Sequence, residues 1–421
     1  MAIRTRLLQI AYDIRDSYWF LPSLIAGAGL ALGLGIVLID AQLGDAWLGQ
    51  YEWFYGSRPE GARAMLSTIA GSTITVAGVV FSITLAAVTY ASGQFGPRLL
   101  GNFMRDRGNQ VTLGVFIGTY LYCLIVLRTI RSAEETSADT GGAVREAFVP
   151  HVAMFGGLAL AIASTVVLIY FVHHVTSGIH INNVIARVGQ QLIFDIRKCG
   201  DDQSKRLDLE RPSASPSVVV AATKTGYIQS FDLDALLMIA CRHRLVLRLT
   251  RRAGDFVLEG RPLMDVLAPS TLTDEAAKAC DDAVTIGRQR SDRQDLRFAV
   301  DELVEIASRA LSPGINDPFT AIACLDWLGA ALAELDRAPP APGSIADTDG
   351  VVRIVLMPLG YEDYLASAFG QLRSYVAADP NALAHALTTL DELATNCTNA
   401  QHRILVEAER SRLVRLGDDN A

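Results

Sequence analysis

The residues of this chain best placed to do chemistry form a row of hydroxyl side chains inside its most apolar part. Residues 64–100 read AMLSTIAGSTITVAGVVFSITLAAVTYASGQFGPRLL. Within this stretch, hydroxyls recur in steps of three and four, with Val79 and Ala86 filling the intervals, so they share one face of an α-helix. The other faces carry large apolar side chains. We call the row the hydroxyl stripe; it consists of Thr68, Ser72, Thr75, Ser82 and Thr89.

The hydroxyl stripe predicts one of two roles. Small residues let helix backbones approach closely, and hydroxyls hydrogen-bond across helix interfaces in membranes. Hydroxyls also line water-filled pores and substrate paths. The spacing alone favours neither helix packing nor a pore, and both interpretations stay open at this point.

A second group of polar residues follows the stripe. Gly96 and Pro97 are expected to end the helix, which leaves Gln94 and Arg98 near its cytoplasmic end. Arg98 can bind lipid phosphate groups as an anchor, or it can place a positive charge at the inner mouth of a pore.

The most distinctive polar segment outside the apolar runs is the turn Ser312-Pro313-Gly314-Ile315-Asn316-Asp317-Pro318. Pro313 disfavours helix at the residue before it, and Gly314 accepts a positive φ. Asp317 followed by proline is typical of a helix N-terminus. These structural roles explain the segment. The alternative is that Arg309, Asn316 and Asp317 form a polar contact for a ligand, an ion or a membrane-proximal loop.

The remaining polar signals exclude several classes of protein. His173 and His174 follow an apolar run and are best explained as interface residues rather than as a pH sensor or metal ligands. The six cysteines are scattered without a C-x-x-C pair, which argues against a zinc site or a disulfide framework. A net charge of -8 argues against nucleic-acid binding. Phosphate-binding, nucleophile-elbow and metalloprotease motifs are absent, so we expect no enzyme, no cofactor and no bound metal.

Four apolar runs must position these residues. They cover residues 20–39, 65–91, 111–127 and 152–172, each near the length of about 20 residues that crosses a bilayer as a helix. The first run is too long for a cleaved signal peptide, and three more follow it. Within that run Gly29 and Gly33 form the G-x-x-x-G pattern of closely packed membrane helices.

Arginines in the short loops predict the orientation. Positive charge is enriched on the cytoplasmic side of membrane proteins, and arginines dominate the N-terminal flank and the loop after the second run. The loops after the first and third runs mix arginines with acidic residues. Both termini are therefore expected in the cytoplasm. The cytoplasmic arginines are Arg4, Arg6, Arg15, Arg98, Arg105 and Arg107.

The sequence predicts a polytopic α-helical membrane protein with four transmembrane helices and an α+β cytoplasmic C-terminal domain. Residues 1–175 form the membrane domain, and residues 176–216 a helical extension, continuous with the fourth span to about residue 196, and a linker. Short apolar segments separated by turns predict a small β-rich subdomain at 217–269. Helical spacing then dominates 270–421, including a helix from Thr273 to about residue 285.

Several segments resemble a widespread bacterial family of predicted membrane proteins of unknown function. They are residues 75–100, residues 113–128, Gly226-Tyr227-Ile228-Gln229, Gly254-Asp255-Phe256-Val257 and RALSPGINDP at 309–318. The resemblance implies a multi-pass protein of the bacterial inner membrane with a cytoplasmic C-terminal domain. It implies no reaction, substrate or catalytic residue.

The leading functional hypothesis is a homo-oligomeric channel for an ion or small solute, because four helices are too few to enclose a wet path alone. The alternative is a membrane-anchored sensor or scaffold whose cytoplasmic domain binds a ligand or a protein partner. Both hypotheses make the lipid bilayer a partner and exclude nucleic acid.

Overall fold

The computed structural model describes residues 17–43, 59–95, 106–131, 148–203, 218–267 and 272–420. It divides into two compact units, an N-terminal unit ending at His180 and a C-terminal unit starting at Ile181. The model is mostly helical, and its sheets lie in the C-terminal unit.

The N-terminal unit consists of four helices: α1 (Phe20–Leu43), α2 (Pro59–Phe95), α3 (Arg107–Thr129) and α4 (His151–Ile179). Each one contains a predicted apolar run and extends beyond it. Helix α3 packs against all three others and is the most enclosed of them. The buried core at this place contains Leu66 of α2, Ala153 of α4, and Tyr122, Cys123 and Val126 of α3.

Helices α1 and α3 pack closely at glycine residues, which have no side chain to hold the two backbones apart. A Cβ atom added to Gly29 would lie 2.5 Å from the backbone oxygen of Gly118, and one added to Gly33 would touch Tyr122. The predicted G-x-x-x-G pattern therefore contacts α3 of the same chain. Gly27 and Gly35, on another face of α1, have no atom within 4 Å of an added Cβ.

Five helices in the described part of the chain are long and apolar enough to cross a membrane. Four are α1 to α4. The fifth is a helix of the C-terminal unit, Pro318–Arg337, whose mean hydropathy of 1.3 is the lowest of the five. The length and composition of the helices alone therefore do not establish the four membrane spans that the sequence predicts.

The expected continuation of the fourth helix to about residue 196 is wrong. Helix α4 ends at Ile179, and His180 has extended backbone angles (φ -63°, ψ 118°) before α5 (Ile181–Gln203) begins. Ser177 and Gly178 before the break, and Asn182 after it, are weak helix formers.

The strands of the C-terminal unit form two sheets. One has the order β1-β5-β3-β8-β7, in which β1 is Val218–Ala221, β3 Leu247–Leu249, β5 Pro262–Val266, β7 Ser344–Ala346 and β8 Val352–Val355. All its pairs are antiparallel except β3 with β8. The other has the order β4-β2-β6, with β2 Gly226–Phe231, β4 Phe256–Val257 and β6 Val284–Gly287.

Helices α6 (Leu233–His243) and α7 (Asp274–Asp282) accompany these sheets, and the side chain just before each helix caps it. Asp232 accepts a hydrogen bond from the Ala235 amide, and Thr273 accepts one from Ala276. The predicted helix from Thr273 is three residues too long, because Val284–Gly287 pairs with β2 as strand β6. The apolar core between these elements includes Ile228, Leu236, Leu247, Leu263 and Ile354.

The rest of the C-terminal unit is helical. Helices α8 (Leu296–Ala310) and α9 (Pro318–Arg337) form a hairpin that packs on α5. The chain continues through α10 (Tyr361–Leu365), a π-helical turn at Ala366–Gly370 and α11 (Arg373–Val376). It ends with α12 (Pro380–Asn396), which packs against α9, and α13 (Ala400–Asn420).

Candidate functional site

The hydroxyl stripe lies on the outer surface of the N-terminal unit. All five of its side chains are exposed. Each hydroxyl donates a hydrogen bond to a carbonyl one turn earlier in α2, for example Thr75 to Gly71 and Ser82 to Gly78, at 2.8 and 2.9 Å. The donor hydrogens are therefore satisfied within the helix, and the oxygen atoms face outward.

Helix α2 turns a different face toward its own bundle. That face is made mostly of alanine and large apolar side chains, with two buried threonines, Thr73 and Thr84. Both threonines bond to carbonyls of α2 itself. Packing among the described helices of the N-terminal unit therefore does not explain the hydroxyl stripe. Along the stripe, Gly71 and Gly78 are also exposed and have no atom within 4 Å of an added Cβ.

Eight polar or charged residues are buried in the described part of the N-terminal unit: Asp40, Thr73, Thr84, Asn109, Gln110, Thr112, Thr119 and Ser164. At one end Asp40 accepts hydrogen bonds from the amides of Val152 and Ala153, at 3.0 and 3.3 Å, and so caps α4. Midway, the hydroxyls of Thr119 and Ser164 lie 3.1 Å apart. Large apolar side chains fill the described interior around these groups.

A group of polar residues around Asp106 and His174 lies where α3 begins and α4 ends. Asp106 caps α3 through the amides of Gly108 and Asn109, and its carboxylate lies 2.9 Å from Nε2 of His174. A Cβ on Gly108 would lie 2.6 Å from that nitrogen, so glycine makes room for the imidazole. His173 is exposed. The sequence indicated the two histidines but not the Asp106 partner of His174.

The other predicted residues at this end are partly outside the described chain. Gln94 belongs to the last turn of α2, and its side chain is not described; Arg98 lies outside the described residues. Their expected place at an inner mouth stays a prediction.

The turn at 312–318 is the corner between α8 and α9. Asp317 caps α9 through the Thr320 amide and hydroxyl, at 3.2 and 2.6 Å, and its own amide donates to the Ala310 carbonyl. Asn316 is exposed and adopts a left-handed φ of 52°. Arg309 lies 3.8 Å from Glu305 within α8. The two charged side chains thus contact their own helices, while Ile315 and Phe319 are exposed.

A buried cluster of charges contacts one of the segments that carry the family resemblance, Gly254–Val257. Asp295 is 3 % exposed and pairs with Arg290, which also binds Asp301. Arg297 binds Asp255 of the Gly254–Val257 segment at 3.2 Å. Burial raises the pKa of Asp295, and the contacts with the arginines offset this only in part. Nothing in the spacing of these residues indicated that they would meet.

A cavity of about 280 Å³ lies between α9 and α12. Asp336 lines it and accepts hydrogen bonds from Thr398, shortly before α13, at 2.7 Å from both the amide and the hydroxyl; it also lies 2.7 Å from Nδ1 of His402. Cys397 also lines the cavity, and burial raises the pKa of its thiol, which keeps it protonated and weakly nucleophilic. In the described residues, no group of three or more His, Cys, Asp or Glu could hold a metal ion.

Asp336 gives the C-terminal unit a defined acid sensitivity. Burial alone would raise its pKa, but the hydrogen bonds from Thr398, His402 and Asn399 bring it below the ordinary 3.8. A lowered pKa stabilises the fold above the unfolded-state value, and this stabilisation is lost as the pH falls through 3.8 toward the folded-state pKa. We expect Asp336→Asn to lower the melting temperature near neutral pH and to flatten its acid dependence. Melting curves between about pH 3 and pH 7 test this. The control is Asp326→Asn, at an exposed position. If Asp336→Asn lost melting temperature in acid as steeply as the parent chain does, the prediction would be contradicted.

The long apolar helices and their packing define the class of this chain as a membrane protein. A family model described as predicted membrane protein (DUF2254) matches residues 15–392, and the chain belongs to that family. Uncharacterized proteins of Mycobacterium tuberculosis and Mycobacterium bovis are each 31% identical to it over 409 residues. These alignments cover 96% of this chain and 76% of each relative. No solved structure matches the chain.

Proposed function

We propose that the protein is a homo-oligomeric channel for an ion or small solute in the bacterial inner membrane, regulated by its C-terminal unit in the cytoplasm. One observation carries the proposal: the five side chains of the hydroxyl stripe are exposed on a face of α2 that the other described helices of the N-terminal unit leave uncovered.

The proposal uses α1 to α4 as the four spans. The fifth apolar helix, α9, carries Asp326, Glu334 and Asp336, and it packs against α5, α8 and α12. A helix with several charges and partners on several sides is typical of a soluble core rather than of a lipid-exposed span. Four spans keep both termini on one side, which the arginine-rich loops favour as the cytoplasm. The free cysteines of the C-terminal unit fit that reducing compartment.

The proposed path runs between copies rather than through one chain. The described interior of the N-terminal unit is filled by apolar side chains such as Leu66, Tyr122 and Phe171. Around a symmetry axis, by contrast, the outward oxygens of several stripes would face one another. Because their hydrogens are bonded to α2 carbonyls, these oxygens offer acceptor lone pairs to water or to a permeating ion.

Flux through liposomes tests the channel. Replacing Ser72, Thr75 and Ser82 together by leucine should abolish or strongly reduce flux, because leucine removes the oxygens and narrows the path. The matched control changes three exposed apolar residues of α2 off the stripe, Ile74, Phe81 and Ile83, to leucine, and it should keep the parental flux. Equal flux from the two triple variants would exclude the stripe as a path.

Cross-linking tests the oligomer separately. Ser82→Cys should give disulfide-linked dimers in the membrane, beyond the background of the parent chain. Ile83→Cys, about 100° away around α2, should give fewer. Flux without such dimers would point to a path elsewhere, and dimers without flux would make the stripe a packing surface.

The cavity between α9 and α12 favours a second candidate, a sensor whose C-terminal unit binds a ligand. Its walls combine Asp336, Glu392 and Arg337 with small residues such as Gly329 and Ala330. A volume of about 280 Å³ is near the lower end for small-molecule sites. Thermal-shift screening of the full chain against small polar metabolites tests it: a stabilising compound whose effect is lost in Glu392→Ala, in a protein without flux, would favour the sensor.

A further inference from the structure

We infer that the corner between α8 and α9, residues 312–319, is a membrane-contacting tip of the C-terminal unit, with Ile315 and Phe319 inserted among the lipid headgroups. The inference rests on the part of the proposed function that makes α4 a membrane span, and it is independent of the channel.

The tip is apolar and exposed. Phe319 is 76% exposed, the largest value among the exposed large apolar side chains, and Ile315 is 42% exposed. Pro313 and Gly314 beside them are exposed as well. The one charged residue in 312–319, Asp317, has both carboxylate oxygens bonded to Thr320. Apart from the exposed amide of Asn316, the side chains that the tip presents are apolar, so the tip costs little to move from water into the interfacial region of a bilayer, where polar groups stay hydrated.

Contacts inside the C-terminal unit show at which end of that unit the tip lies. A Cβ on Gly189 of α5 would lie 2.3 Å from the Trp327 ring of α9, so the two helices touch there. Further along, Arg197 of α5 binds Glu334 of α9 through two bonds of 2.9 and 3.0 Å. The contact advances toward the C-terminus on both helices, so α5 and α9 run parallel.

Parallel helices fix the level of Phe319. Gly189 lies eight residues after Ile181, and Trp327 lies eight residues after Phe319. At 1.5 Å per residue, both starting points are about 12 Å back from the same contact. Phe319 and Ile181 therefore lie at the same end of the C-terminal unit.

Ile181 also follows closely after the membrane end of α4, whose candidate span runs to Ser177. Only His180 separates it from Ile179, the end of α4, so the two Cα atoms are at most about 7.6 Å apart. Because covalent linkage holds Ile181 near the bilayer surface, the end of the unit that carries Phe319 is held near the same surface. Ile315 and Phe319 are therefore exposed, apolar and close to the membrane surface, and the bilayer is the partner that they contact.

Lipid quenching of a fluorescent label tests the inference on the full chain in vesicles. Cys199 and Cys241, the native cysteines of the C-terminal unit that are not buried, are changed to serine. Phe319→Cys is then labelled with an environment-sensitive dye. The control is Phe194→Cys, an exposed site on α5 that lies 13 residues, about 20 Å, beyond Ile181.

Nitroxide lipids carrying the quencher near the headgroups should reduce the fluorescence of the label at 319 and leave the label at 194 unaffected. Equal quenching at the two sites, or none at 319, would overturn the inference. Quenching at 319 without ion or solute flux keeps the inference and rejects the channel, whereas flux without quenching does the reverse.

Discussion

Valine in place of Gly29 is expected to prevent α1 from packing on α3 and to leave little folded protein. The Cβ atom would lie 2.5 Å from the Gly118 oxygen and 2.8 Å from the Gly118 Cα. Both atoms are backbone, so no rotamer change relieves the clash and the helices must separate. Overpacking of ordinary cores costs about 1–3 kcal/mol, and we expect about 3 kcal/mol or more here.

Gly27→Val is the matched control for this prediction. It adds the same side chain to the same helix two residues earlier, where no atom lies within 4 Å of an added Cβ. We expect it to keep the parental yield and melting temperature in detergent, measured by size-exclusion chromatography after heating. Comparable behaviour of the two variants would show that α1 does not depend on the Gly29–Gly118 contact.

Alanine at Asp295 is expected to destabilise the C-terminal unit by about 3–5 kcal/mol, because it leaves the half-buried Arg290 and Arg297 without this partner. The Asp295 side chain is 1% exposed and that of Arg290 15%. Arg290 keeps Asp301 and Arg297 keeps Asp255, but little water can reach Arg290 to replace the missing carboxylate. Denaturant or thermal unfolding of the purified chain, followed by a tryptophan signal, measures the loss.

The control for the Asp295 prediction removes a carboxylate from an exposed pair. Asp391 binds Arg410, and its side chain is 54% exposed. Exposed ion pairs contribute about 0–1 kcal/mol, so Asp391→Ala should change the stability little. If Asp295→Ala were equally mild, the buried cluster would contribute little net stability.

The sequence predicts elements well where the physical cause is local. Continuous apolar runs predict α1 to α4, and the helix starts predicted at Thr273 and Asp317 are those of α7 and α9. The hydroxyl stripe follows from helical spacing in the same way. Whether it faces lipid, a neighbouring helix or another copy depends on which face of α2 the other helices cover.

Features that depend on distant partners could not be predicted. The contacts of Asp40 with α4 and of Asp336 with Thr398 join residues more than 60 positions apart. The predicted helix from Thr273 runs into the first residues of strand β6, where pairing with β2 outweighs the local helical preference. Likewise β7 lies in a segment rich in proline, alanine and glycine and becomes a strand by pairing with β8.

The single residue between α4 and α5 limits how far the two helix ends can separate. Whatever backbone angles His180 adopts, the Cα atoms of Ile179 and Ile181 stay within about 7.6 Å of each other. A long linker would let the start of α5 drift away from the end of α4, whereas this joint lets α5 change direction only. His180 therefore acts as a short tether with a fixed maximum length.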